Sequence, residues 1–178
     1  MLRGNAAVTG GAIGNAVGTS LTVTNTSILE NVASGGVLGG TGGGVSNVGA
    51  APFANVTFAG NRAGQGASIY QTQGSATLRH VTVANNTATI AGGGIYAVGG
   101  SASLANTLFA ANGTGTGASV GGAGSYTNSG GNLCWPAGTC NVTPAITYAN
   151  PLLGALGTYL STTPVSYTHL TLPTSDLV

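Results

Sequence analysis

The chain reads as all-β, a right-handed parallel β-helix (β-solenoid) of about five coils of about 25 residues each. Three observations predict this. Asn recurs at 5, 31, 61, 86 and 112, with separations of 26, 30, 25 and 26 residues. Apolar residues stand at fixed distances before each closing Asn, and a β-branched residue after a run of small residues marks the middle of each unit. One unit of this length cannot bury its own apolar side chains, whereas a stack of them can.

The first unit opens at Asn5. Gly10-Gly11-Ala12 turns the chain into Ile13, and Leu21-Thr22-Val23 leads through Asn25 and Thr26 to Ile28 and Asn31. The second carries an insertion, Ser34 to Gly44, whose glycine content places it in a loop. It continues with Val45, Phe53, Asn55, Val56, Phe58 and Asn61. The third repeats the pattern with Ile69, Leu78, His80, Val81, Val83 and Asn86. The fourth is the clearest copy: Gly92-Gly93-Gly94-Ile95, then Leu104, Asn106, Thr107, Phe109 and Asn112. Val120 marks the fifth. Runs such as Val81-Thr82-Val83 alternate with period two between Gly and Asn, which signals strands. No amphipathic helix of useful length emerges.

Stacking such units lays equivalent side chains over one another. The expected core stack is Ile28, Phe58, Val83 and Phe109 on one wall, with Ile69 and Ile95 among the mid-unit residues. Two Asn columns are expected to form ladders: Asn31, Asn61, Asn86 and Asn112, and Asn25, Asn55, His80 and Asn106. Asn accepts the left-handed backbone of a sharp corner, and its amide can bond its counterparts above and below. His80 takes an Asn position, so it reads as a corner residue and not as a metal ligand.

Composition narrows the function. Only 3% of the residues are charged and the net charge is +1, so there is no electrostatic footprint for nucleic acid. No apolar run is long enough to span a bilayer as a helix, and a monomer is expected. Before residue 165, Glu30 is the sole carboxylate side chain. A glycosidase needs two, and a calcium-assisted lyase needs several acidic oxygens. The expectation is therefore no enzyme activity within this stretch and no cofactor or metal. Gly39 to Gly44 lacks the Lys and following helix of a phosphate loop. Asn-x-Ser/Thr occurs at Asn25, Asn55, Asn85, Asn112 and Asn141, where the repeat itself calls for Asn and Thr in preference to glycosylation. Cys134 and Cys140 bracket a short turn, which favours a local disulfide over metal or redox work and suits an oxidising compartment.

Gly10-Gly11-Ala12-Ile13, Gly92-Gly93-Gly94-Ile95, Phe58-x-x-Asn61 and Phe109-x-x-Asn112 resemble the paired GGA(I/L/V) and FxxN repeats of polymorphic outer membrane proteins. The wider resemblance is to bacterial β-helix repeat proteins of the pectin-lyase-like class. Gly131-Asn132-Leu133-Cys134 and Asn150-Pro151-Leu152-Leu153-Gly154 resemble the C-terminal end of β-helix domains in the choice-of-anchor Q family. The likeness spans roughly residues 5–163; Ile28-x-x-Asn31 and Val83-x-x-Asn86 depart from it in lacking Phe, and Val45 lies in a degraded copy.

The resemblance implies an extracellular or outer-membrane-associated protein, structural or adhesive, touching a surface glycan or a protein of a host or neighbouring cell. Tyr70, Tyr96 and exposed Thr or Gln are the side chains available for that contact. Two other readings are a non-catalytic remnant of a pectin-lyase-like polysaccharide-degrading enzyme and an ice-binding solenoid. The latter needs a regular Thr-x-Thr face, seen only at Thr22-Val23-Thr24.

The expected organisation is coils over 1–133, a disulfide loop and capping segment over 134–164, and a foreign tail over 165–178. Ile146 to Leu160 is expected to cover the last coil. Val165 to Thr174, VSYTHLTLPT, resembles one translated frame of a transposon-type sequencing-library adapter, so a truncated parent is expected, and Met1 reads equally as an internal start.

Overall fold

The computed structural model describes residues 1–113 and 119–153; residues 154–164 of the expected cap and the adapter-like 165–178 lie outside the described residues. Every described element is a strand, and together they form a parallel β-solenoid of about five turns. Three sheets run along it. The longest takes Leu2–Arg3, Val23–Leu29, Ala50–Ala59, Ser75–Ala84, Leu108–Ala110, Leu133–Trp135 and Thr147–Tyr148 in order, with Ser101–Ala105 and Ser125–Asn128 alongside. The second stacks Ala6–Ala7, Val32–Ala33, Arg62–Gln65 and Thr87–Ala91. The third stacks Ile13–Asn15, Val45–Asn47, Ile69–Gln71, Ile95–Ala97 and Val120–Gly122.

Like lies over like in the interior. Ile28 pairs with Phe58, Phe58 with Val83, Val83 with Phe109 and Phe109 with Cys134. Ile13, Val45, Ile69, Ile95 and Val120 follow one another in the third sheet. Ile28, Phe58, Val83, Phe109, Ile69 and Ile95 are all fully buried. A third column, Val23, Phe53, Leu78 and Leu104, completes the core, and the Phe53 and Phe58 rings meet edge-on at 5.4 Å. Period-two alternation produces this directly, since every second side chain of each strand faces the same way.

The glycine motif has a backbone cause. Gly10, Gly42, Gly66 and Gly92 occupy one corner with φ between 59° and 67°, a conformation glycine adopts without a Cβ clash. The insertion is shorter than expected. Ser34 to Gly39 lie exposed on the outside, but Gly40 to Gly44 rejoin the stack. Thr41 bridges Thr9 and Gln65, and the Gly44 amide donates to the Ala67 carbonyl at 2.9 Å. A Cβ on Gly43 would come within 2.5 Å of the Ala67 and Arg62 carbonyl oxygens, so these glycines are packing residues and not a flexible linker.

Cys134 and Cys140 form a disulfide, and both are buried in the core. Cys134 continues the Phe109 column, while Cys140 bridges to Val120, so the bond joins two walls of the last coil. Ile146 is buried against the same cluster, and Thr147–Tyr148 pairs in parallel with Leu133 and Cys134 as the last rung of the longest sheet. Reduction is expected to cost about 2 kcal/mol of local stability, the order for so short a loop. Hydrogen exchange with and without reductant checks it: faster exchange should be confined to residues 119–153. Uniform loss of protection would contradict the independence of the coils.

Candidate functional site

The two Asn columns divide the work that a corner demands. Asn5, Asn31, Asn61, Asn86 and Asn112 form a continuous ladder. Each Oδ1 from Asn31 onward accepts both the backbone N–H and the Nδ2–H of the Asn in the coil before, at 2.9–3.2 Å. Each Nδ2 also donates to a backbone carbonyl: Asn31 to Leu2, Asn61 to Ile28, Asn86 to Phe58 and Asn112 to Val83. From Asn31 to Asn112 these side chains are buried and fully employed. The left-handed backbone is carried by their predecessors, Gly4, Glu30, Gly60, Asn85 and Ala111.

The second column does the reverse. Asn25, Asn55, His80 and Asn106 themselves hold φ of 49° to 54°, and all are exposed. Their only ladder bond among the described residues is Asn55 Nδ2 to Asn25 Oδ1, 3.1 Å. The expected ladder of four is therefore a row of corner residues with one link. The reason is burial: in water an amide gains little from a neighbour above it, whereas inside it must find a partner. His80 suits the row because His, like Asn, visits the left-handed region.

A third amide ladder, not expected from the sequence, lies in the interior. Asn15 Nδ2 donates to Asn47 Oδ1 at 2.7 Å, Asn47 Nδ2 to Gln71 Oε1 at 3.3 Å, and Gln71 Nε2 to the Ser101 carbonyl at 2.7 Å. All three are buried. The signal was a polar amide two residues after Ile13, Val45 and Ile69. It lapses at Ala97 and changes from Asn to Gln, so it made a weak column. Where it lapses, the Tyr126 hydroxyl steps in, accepting from the Ala97 N–H at 3.1 Å and donating to the Gly121 carbonyl at 2.5 Å. Burial raises the Tyr126 pKa well above the ordinary phenol range, so the hydroxyl stays a donor.

The chemistry-bearing side chains are dispersed. Glu30 is in a two-bonded ion pair with Arg3, 2.8 and 2.9 Å, out in solvent. Among the described residues, no three His, Cys, Asp or Glu side chains lie close enough to hold a metal ion. Of the five glycosylation-type sequences, Asn25, Asn55, Asn85 and Asn141 are exposed, and Asn112 is locked in the buried ladder. Tyr70 and Tyr96 stack on one another, with ring centres 6.3 Å apart. Tyr70 is only 8% exposed, so of these two only Tyr96 offers its ring to a partner, contrary to the expectation for the pair.

What the stacking does assemble is a hydroxyl-bearing outer face on the longest sheet. Ser20, Ala50, Ser75, Ser101 and Ser125 line up in one row. Pro52, Thr77, Ser103 and Thr127 make the next. Inward Ala76, Ala102 and Leu78, Leu104 alternate with them and are buried. The last three coils thus repeat Ser-x-Thr or Ser-x-Ser in register. Ser stands at four of the six positions, so the repeat does not show as Thr-x-Thr along the sequence.

Fold and surface define a class, the parallel β-solenoid with stacked amide ladders. The chain matches no protein-family model, no curated protein and no solved structure. Among the described residues, no helix is long and apolar enough to cross a membrane.

Proposed function

We propose that this chain is part of an exported bacterial β-solenoid, at the cell surface or secreted, with a structural and adhesive role. Its partners on this reading are surface glycans or proteins of host or neighbouring cells. The observation that carries it is the outer face on which Ser75, Thr77, Ser101, Ser103, Ser125 and Thr127 stand in two rows in register. Side chains held by a rigid sheet lose little freedom when a partner docks, so a repetitive face binds extended molecules at low ordering cost. The buried disulfide supports export, because such bonds persist in oxidising compartments. The resemblance of the glycine and Phe-x-x-Asn motifs to polymorphic outer membrane protein repeats, and of the C-terminal motifs to choice-of-anchor Q domains, supports a surface location within the pectin-lyase-like class.

Solid-phase binding of the 178-residue chain to mucin, bacterial polysaccharide and cell surfaces tests this. The Thr77→Lys, Ser103→Lys, Thr127→Lys triple variant, with unchanged circular dichroism, should bind about tenfold more weakly, which is ~1.4 kcal/mol. Undiminished binding would remove this face from the reading. Release of unsaturated uronides from polygalacturonate would show catalysis in this chain and overturn both this reading and that of a non-catalytic remnant.

A further inference from the structure

Near the C-terminal end of the longest sheet a hollow of about 170 Å³ opens beside Trp135, walled by Asn85, Ala110, Ala111, Asn150 and Pro151. We infer that it is a binding site for a single neutral sugar, a pyranose at the end of a glycan, stacked on the indole. The inference rests on the adhesive reading above and gives it a ligand class.

The stacking makes the site. Ala59, Ala84 and Ala110 follow one another in register, and Trp135 is next in that column. Three methyl groups are thus succeeded by an indole, which stands beside small side chains with a third of its surface free, 36%. Trp135 is the one Trp of the chain. A large aromatic left open to water in a shallow hollow offers an apolar, polarisable face of the kind the C–H side of a sugar ring covers.

Two amides stand at the rim. Asn85 occupies the left-handed corner position held by Gly4, Glu30, Gly60 and Ala111 in the other coils. The ladder does not use it, since Asn86 supplies those bonds. Its side chain is exposed and makes no hydrogen bond within the described residues. Asn150 Oδ1 accepts from the Leu152 N–H at 3.0 Å, which engages the oxygen and leaves the NH₂ as a donor. One aromatic face with a few amides at its edge is the pattern of a site that orients a polyhydroxylated ring. None of the named walls carries a charge. A uronic acid or a phosphate would find no counter-charge there, so the ligand class is the neutral sugar.

Because Trp135 is unique, the indole emission of the full chain reports on this hollow directly. Methyl β-D-galactopyranoside, methyl β-D-glucopyranoside and methyl α-D-mannopyranoside are titrated, with potassium galacturonate and N-acetylphenylalaninamide as counter-probes. The expected result is a saturable emission change with at least one neutral glycoside and none with either counter-probe. Asn85→Gly keeps the backbone at ease, removes the amide, and should weaken binding about tenfold. Asn150→Ala should weaken it as well. In Trp135→Ala, saturation-transfer resonance of the sugar should vanish. If that variant fails to fold, the two Asn variants decide the matter.

Silence with all the neutral glycosides, an equal response to galacturonate or to the phenylalanine amide, or an unaltered affinity in Asn85→Gly would each overturn the site. Solid-phase adhesion measured in parallel separates the two readings. Adhesion with a silent indole rejects this site and leaves the adhesive reading standing. An indole response without adhesion supports the site and rejects the adhesive reading.

Discussion

Ile95→Asp is expected to unfold the solenoid. Ile95 has no solvent exposure and lies between Ile69 and Val120 in its column, at the middle of the chain's interior. The change removes a buried branched side chain and leaves a carboxylate with no cation nearby. Its cost should exceed about 5 kcal/mol, the scale of a small domain's whole stability. A strand signal by circular dichroism that is lost at room temperature, or an insoluble product, is the expected reading. Ile90→Asp is the control: Ile90 is 44% exposed in Thr87–Ala91, and its urea midpoint should barely move. If Ile95→Asp folds with the parent's midpoint, residue 95 faces outward and the stacked core is wrong.

The second large effect belongs to Asn61→Ala. Asn61 Oδ1 accepts two N–H groups from Asn31, and its Nδ2 donates to the Ile28 carbonyl and to Asn86 Oδ1. Alanine removes the acceptor of the Asn31 backbone N–H and of one Asn31 Nδ2–H, and takes a donor from the Ile28 carbonyl and from Asn86 Oδ1, all in a closed interior. At 1–3 kcal/mol for each orphaned group, partly relieved by relaxation, the loss should be about 3–5 kcal/mol. Asn55→Gly offers the contrast. Asn55 is an exposed corner with φ of 54° and one weak amide link, so glycine should change stability by less than ~1 kcal/mol. Urea denaturation of the two variants side by side checks the division of roles. Equal losses would show that both columns serve the same purpose.

The columns were legible in the sequence for a simple reason. Each coil meets the same neighbours, so Phe58, Val83 and Phe109 answer one packing requirement and recur at one offset from their Asn. Gly10 and Gly92, which open the two clearest glycine motifs, were legible too, because a left-handed corner accepts few residues. The division between the Asn columns was not. Asn31 and Asn25 look alike along the chain, and only their burial separates a structural amide from a tolerant corner. The Asn15, Asn47 and Gln71 ladder hid behind a change of residue type, and Gly40 to Gly44 looked like loop because composition carries no register. Tyr70 read as a contact ring for the same reason: its neighbours in space lie a full coil away.

The amino-acid sequence by itself determined the repeat, the inward residues and the corner row Asn25, Asn55, His80 and Asn106, because these follow from strand alternation and from the backbone freedom of Asn and His. The tertiary structure decided what is made by residues of different coils. Separations of 25 to 30 residues between successive ladder Asn close into one register only when the amides meet. That register aligns the outer hydroxyl rows and places Trp135 beyond Ala110, with Asn85 at the rim. Surface sites of a solenoid are composites of several turns, and contact across turns is a property of the stack, not of any one stretch of chain.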